Sequence, residues 1–225
     1  MCTTWRYGMD IKEITKSYKD YVIKLRREFH ENPEKSMEEV RTSKRVKEEL
    51  DKIGIPYVSA RGTGVIATIK GANPGKTVAL RGDMDALQVV ECTDVEYKSK
   101  NEGLMHACGH DGHTAYLMVL AKNLITLKDQ LKGSIRIIHQ PAEEVSPGGA
   151  KGMIADGCLT DIDHVLGVHV MSSMETGKIG YHSGETQTGR ANFTLTIRGK
   201  GGHASMPQLA NDAIVAGSYF VTQLQ

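Results

Sequence analysis

Three short apolar runs constrain the fold of this chain more than any other feature. They are "TVALRGD" at Thr77–Asp83, "SIRIIHQ" at Ser134–Gln140 and "HVLGVHV" at His164–Val170. Each has the length and the β-branched content of a strand. Between the first two, His110 to Lys128 places Leu117, Leu120, Leu124 and Leu127 on one helical side. Between the last two, "GGAKGMIADG" reads as a short helix closed by Gly157. Strands that alternate with helices predict an α/β domain built on a mixed, mostly parallel sheet with flanking helices.

The flanking segments extend this plan. Ile11, Ile14, Tyr18, Val22, Leu25 and Phe29 recur at steps of three and four, as in an amphipathic helix. "SMEE" at Ser36–Glu39 fits a capping box for a second helix carrying Val40, Val46, Leu50 and Ile53. "GVIATIK" at Gly64–Lys70 reads as a strand, joined to the Thr77 strand by "GANPGK", a hairpin-like turn. Near Gly184–Gly189 the character changes. "ANFTLTIRG" alternates strictly, as in an antiparallel strand with one wet face. A last helix follows, capped by Asn211 or Asp212. The expectation is one domain over 1–185 and the start of a second over 186–225. That second part is too small to bury its own core, so the chain reads as an N-terminal fragment.

Composition excludes several classes. The 225 residues are 40% hydrophobic, enough for a sizeable core. With 28 basic and 27 acidic residues the net charge is +1, which gives no reason to expect nucleic acid or a membrane surface as partner. The apolar stretches are far too short to span a bilayer. The N-terminus shows no apolar core of a signal peptide, and Cys2, Cys92, Cys108 and Cys158 follow no framework spacing. Reduced thiols in a cytoplasmic protein are the expectation.

Chemistry-bearing residues gather after the strands, where open α/β sheets assemble their sites. "RGDMDAL" offers Asp83 and Asp85. "MHACGHDGH" at Met105–His113 packs a cysteine, an aspartate and three histidines into one loop. Cys108 and His110 flank Gly109 and suit zinc or another borderline metal, with Asp111 and His113 placed to orient such ligands. The same loop also reads as a Cys108 nucleophile activated by His106 or His110, or as a polar loop that caps the next helix. "QPAEE" sets Glu143 beside Glu144, and adjacent carboxylates repel unless a cation lies nearby. One would bind the metal while the other accepts a proton. His169 ends an apolar strand, and "GKGGHASMP" carries His203 after two glycines. Together these are the parts of a metal-assisted hydrolase.

In this order and spacing, "RGDMDAL", "MHACGHDGH", "QPAEE", "GVHV" and "GKGGHASMP" resemble the N-acyl-L-amino-acid amidohydrolases. These form the hippurate hydrolase and auxin-conjugate hydrolase branch of the aminoacylase/carboxypeptidase metallopeptidases. "LRREFHENPEKSMEE" looks like the same branch's "RRxxHxxPE" opening. The resemblance spans about Tyr21 to Gln225. It implies a di-metal exopeptidase-like α/β domain plus the start of an α+β lid that forms a homodimer in the full-length protein. It implies two divalent metal ions (zinc, manganese, cobalt or nickel) held by Cys108, His110, Glu144 and His169, with Cys108 bridging. Glu143 would be the general base, Asp85 would orient a ligand, and His203 would stabilise the oxyanion. Asp83 stands where related branches carry a metal-binding histidine and is not counted as a ligand.

The implied reaction is hydrolysis of a small-molecule N-acyl amino acid to a carboxylic acid and a free amino acid. An N-acetyl-diaminopimelate-type deacetylase and an inactive fragment are the alternatives, the latter because the resemblance implies one more metal-binding histidine beyond Gln225. This chain departs from the branch at Gln88, at Gln208 after Pro207, and at Ala213 after Asp212.

Overall fold

A computed structural model describes residues 11–187, 189 and 191–224. The chain divides into two compact units, Met1–Met174 and Glu175–Gln225, a division upstream of the boundary expected near residue 185. The first unit holds a five-stranded mixed sheet. Its strands are β1 (Tyr57–Ala60), β2 (Gly64–Lys70), β3 (Asn73–Asp83), β4 (Lys132–Gln140) and β5 (His164–Gly167), in spatial order β1-β2-β4-β3-β5. β4, β3 and β5 run parallel, and β2 is antiparallel to both β1 and β4. The helices are α1 (Ile11–Ser17), α2 (Lys19–His30), α3 (Val40–Ile53), α4 (His110–Thr126) and α5 (Ala150–Ala155). Among the described residues no helix is long and apolar enough to cross a membrane.

Period-2 alternation explains the layers. Val65, Ala67 and Ile69 of β2 and Ile137 of β4 pack with Leu25 and Phe29 of α2, Leu50 of α3 and Leu117 of α4. Ile66 and Ile138, one residue out of step, pack with Ala79 of β3, Met153 of α5 and Cys158. Successive strand residues thus feed two separate cores, one on each face of the sheet.

Three local expectations change. The N-terminal helical stretch is two helices with a break at Tyr18. Glu39 makes no side-chain cap at α3. Glu34 does that work, accepting from the backbone N–H of Arg41 at 2.9 Å and Thr42 at 2.7 Å. β2 and β3 are not a hairpin, because β4 lies between them. The glycines near "GANPGK" serve the close passage of β4. Gly71 donates to the Gly133 carbonyl at 2.9 Å, and a Cβ at Gly133, where φ is +82°, would overlap the Lys76 carbonyl oxygen. A hairpin turn and a strand wedged between neighbours demand the same small residues, so the sequence pattern does not separate them.

In the second unit, Ala191–Arg198 forms no strand among the described residues. Alternation marks a strand only where a partner can satisfy the backbone. The closing helix α6 (Ala213–Gln223) is capped by Asp212, whose carboxylate accepts from the N–H groups of Ile214 and Val215. Phe193 meets Phe220 edge-on at 6.1 Å.

Gly133→Ala tests the crossing. Combined steric overlap and left-handed backbone strain should cost roughly 1–3 kcal/mol, read as a lowered urea midpoint. An unchanged midpoint would contradict this packing.

Candidate metal centre

β3, β4 and β5 end on the same edge of the sheet because they are parallel. β4 and β5 lie on opposite sides of β3, so the loops leaving all three open around its end. That is where ligands collect in open α/β sheets. β5 stops at Gly167, opposite Arg81, before β3 reaches Asp83. Val168 to Val170 therefore leave the ladder, and His169 is free to turn toward the loop before α4.

α4 opens at His110. Its Nδ1 donates to the Asp85 backbone oxygen at 2.9 Å, which leaves Nε2 as a lone pair. That Nε2 is buried and has no hydrogen-bond partner, and neither has Oε1 of Glu144, 3.7 Å away. His169 is arranged likewise. Its Nδ1 donates to the Val170 carbonyl at 2.6 Å, and Nε2 faces the Cys108 sulfur at 3.4 Å. Donor atoms of Cys108, His110 and His169 lie within 4.8 Å of one another, and so do those of His110, Glu143 and Glu144. His110 belongs to both groups. One buried imidazole nitrogen without a partner, a second and exposed imidazole beside a thiol, and two carboxylates together form the donor set of a borderline divalent cation.

Two aspartates brace this set. Asp85 Oδ2 accepts from Ser36 Oγ at 2.6 Å and from the Glu144 N–H at 2.9 Å. Burial alone would raise its pKa, but the bonds from His110, Ser36 and the Glu144 and Glu143 backbone outweigh it and leave the pKa lowered. Asp83 Oδ1 accepts from His113 Nδ1 at 2.6 Å and Oδ2 from Arg81 Nη1 at 2.6 Å. Its pKa is lowered too, burial being outweighed by His113, Arg81 and His110.

The thiol of Cys108 is pushed up to about 12 by burial and by the carboxylates of Glu144, Glu143 and Asp83. A nucleophilic cysteine needs the opposite, a cationic setting that lowers its pKa. The surroundings therefore fit a thiol that ionises beside a cation better than a free nucleophile paired with His106 or His110. His106 is itself buried without a partner for either ring nitrogen, and burial lowers its pKa to about 4.

Several contributors lie outside the site residues expected from the sequence. Glu39 is fully buried, and its carboxylate accepts from the Met37 and Ala142 N–H groups and from Thr63 Oγ1. It holds the "QPAEE" turn, where Ala142 adopts φ +49°. A capping-box motif hid that role, since Ser36 donates to Asp85 and Glu39 holds Ala142 and Thr63, and neither caps α3. Arg26 and His30 of the "RRxxHxxPE" segment bind Asp111 at 2.8 and 2.7 Å, locking α2 to the first turn of α4. Glu91 receives the other His30 nitrogen at 3.2 Å. His203 belongs to the second unit, where its Nδ1 lies 2.9 Å from Ser205 Oγ.

The sequence pattern of Peptidase family M20/M25/M40 matches residues 79–219, from β3 through the site loops into α6. The chain belongs to this family. An N-acyl-L-amino acid amidohydrolase of Geobacillus stearothermophilus is 44% identical over 217 residues, which cover 96% of this chain and 59% of that protein. IAA-amino acid hydrolase ILR1-like 5 of Arabidopsis thaliana is 44% identical over 207 residues, 92% of this chain and 47% of that protein. Among solved structures, the Bacillus subtilis YXEP protein, a dinuclear metal binding peptidase from the M20 family, superposes with a TM-score of 0.72 at 39% identity. That likeness covers 75% of this chain and 48% of the other. This M20 chain thus spans about half the length of the curated relatives it matches.

Glu39→Ala should destabilise this M20 fold by roughly 1–3 kcal/mol for each donor left buried and unpaired. Glu39→Gln, which keeps an acceptor oxygen, should cost less. Denaturant unfolding of both variants checks this, and an Ala variant as stable as wild type would refute the clamp.

Proposed function

We propose that the protein hydrolyses the amide bond of N-acyl amino acids, releasing a carboxylic acid and a free amino acid. The observation that carries this reading is the meeting of Cys108, His110, His169, Glu143 and Glu144 at one edge of the sheet. The names of the relatives support the substrate class, since they describe an N-acyl-L-amino acid amidohydrolase, an IAA-amino acid hydrolase and an N-acetylcysteine deacetylase. Two divalent cations are the proposed cofactor, supported by the dinuclear M20 neighbour.

Cys108, His110, Glu144 and His169 would hold the cations. When bound, the cations supply Lewis acidity that lowers the pKa of water and polarises the acyl carbonyl. Glu143 then takes the proton of the attacking water and passes it to the leaving amine. Asp85 holds the His110 tautomer, so Nε2 stays available. His203, from the proposed lid, stabilises the oxyanion as the tetrahedral centre forms. A homodimer through the lid domain of the full-length protein completes the proposal. The free thiols of Cys92, Cys108 and Cys158 suit a cytoplasmic setting.

Glu143→Gln in the full-length protein should lower hydrolysis of N-acetyl and N-benzoyl amino acids by about 10²–10⁴-fold while metal content stays constant. Wild-type turnover by the metal-loaded variant would remove Glu143 as the base. Chelation should abolish activity, and zinc, manganese, cobalt or nickel should restore it. Hydrolysis that persists after complete metal removal would refute the proposed chemistry and favour a thiol mechanism.

A further inference from the structure

His113 carries no part of the proposed reaction, yet it lies 1% exposed at the centre of the site. We infer that His113, oriented by Asp83, is a positioning residue that seats the metal-ligating ring of His169 through the backbone of Val170. This rests on the reading of His169 as a ligand.

Hydrogen-bond directions assign the tautomer. Nε2 of His113 receives the Val170 N–H at 3.0 Å. A backbone N–H can only donate, so Nε2 is the acceptor. The ring proton therefore sits on Nδ1, which donates to Asp83 Oδ1 at 2.6 Å. Asp83 cannot swing away, because Arg81 Nη1 holds its other oxygen and Thr114 Oγ1 donates to its carbonyl at 3.0 Å. Both nitrogens of His113 are thus spent inside the protein. Asp83, His110 and His113 also bring donor atoms within 4.8 Å of one another, but this bonding makes the trio a brace and not a second cation site.

The brace acts on His169. β5 has already ended, so no strand lies alongside to satisfy Val170. The N–H of Val170 takes its partner from His113, and the carbonyl of Val170 takes the Nδ1 proton of His169. One residue therefore links the two rings, and His169 Nε2 is left facing Cys108. The rings also touch. His113 meets His169 edge-on at 4.7 Å and stacks on His110 at 5.4 Å. Gly109, at φ +84°, leaves room for this arrangement, since a Cβ there would overlap Cγ2 of Val170.

Cobalt titration of the full-length apoprotein, followed by thiolate-to-cobalt absorption, tests the inference. His113→Gln places an amide oxygen where Nε2 stood and keeps an acceptor for Val170. His113→Asn keeps a donor toward Asp83 but does not reach Val170, and His113→Phe keeps only the ring packing. The Gln variant should bind two equivalents as wild type does. The Asn and Phe variants should weaken one equivalent by roughly 10–100-fold and leave the other intact, as His169→Ala should abolish one. Tight binding of both equivalents by Asn and Phe, with loss in His169→Ala, overturns the positioning role alone. Equal loss of both equivalents in Gln, Asn and Phe also overturns it, because that pattern marks a purely structural histidine. Should Phe fail to fold, the contrast between Gln and Asn decides. Two tight equivalents in His169→Ala would overturn the ligand reading and the positioning role together.

Discussion

Asp85 joins parts of the molecule that are far apart in the chain. Its carboxylate holds Ser36 from the loop before α3 and the Glu144 N–H from the loop after β4, and its backbone oxygen holds His110 at the start of α4. A buried carboxylate is costly unless charge-assisted donors surround it. Ser36 and the Glu144 N–H offset part of that cost at Oδ2, while Oδ1 is buried without a hydrogen-bond partner, and the same two donors place the loops of the site. Removing one would expose the cost of the rest, so the loops are locked as a set. Parallel strands bring these loops to one edge, and the Asp85 bonds turn that proximity into a fixed geometry.

The same charges decide which chemistry fits. Burial, with the carboxylates of Glu144, Glu143 and Asp83, raises the pKa of the Cys108 thiol. Such a field opposes a free thiolate and welcomes a cation, and a cation would in turn ionise the thiol. The unpartnered Nε2 of His110 and Oε1 of Glu144 supply the matching lone pairs. Like charges that repel in isolation become a binding site when a divalent ion is added.

Much of this was legible in the sequence because its causes are local. β-branched runs marked β2, β3 and β4, and leucines at helical spacing marked α4. The order of the motifs pointed to Cys108, His110, Glu144 and His169, and these now lie together with Glu143. What was hidden depended on long-range pairing. β4 slips between β2 and β3, so a glycine-rich connection resembled a hairpin. Ser36 and Glu39 resembled a helix cap because that motif records spacing and not direction, whereas burial beside Asp85 and Ala142 redirects both side chains. β1 went unread because it is four residues long, with Val58 and Ser59 exposed and Ala60 buried, too short to show a period. Alternation in Ala191–Arg198 signalled a strand, but no neighbour among the described residues takes up its backbone.

Anomalous diffraction from crystals of the full-length protein loaded with zinc would locate the cations. Two anomalous peaks are expected beside the Cys108 sulfur, among Nε2 of His110, Nε2 of His169 and the Glu144 carboxylate. Density centred on Asp83, His110 and His113, with the Cys108 thiol unligated, would contradict this placement.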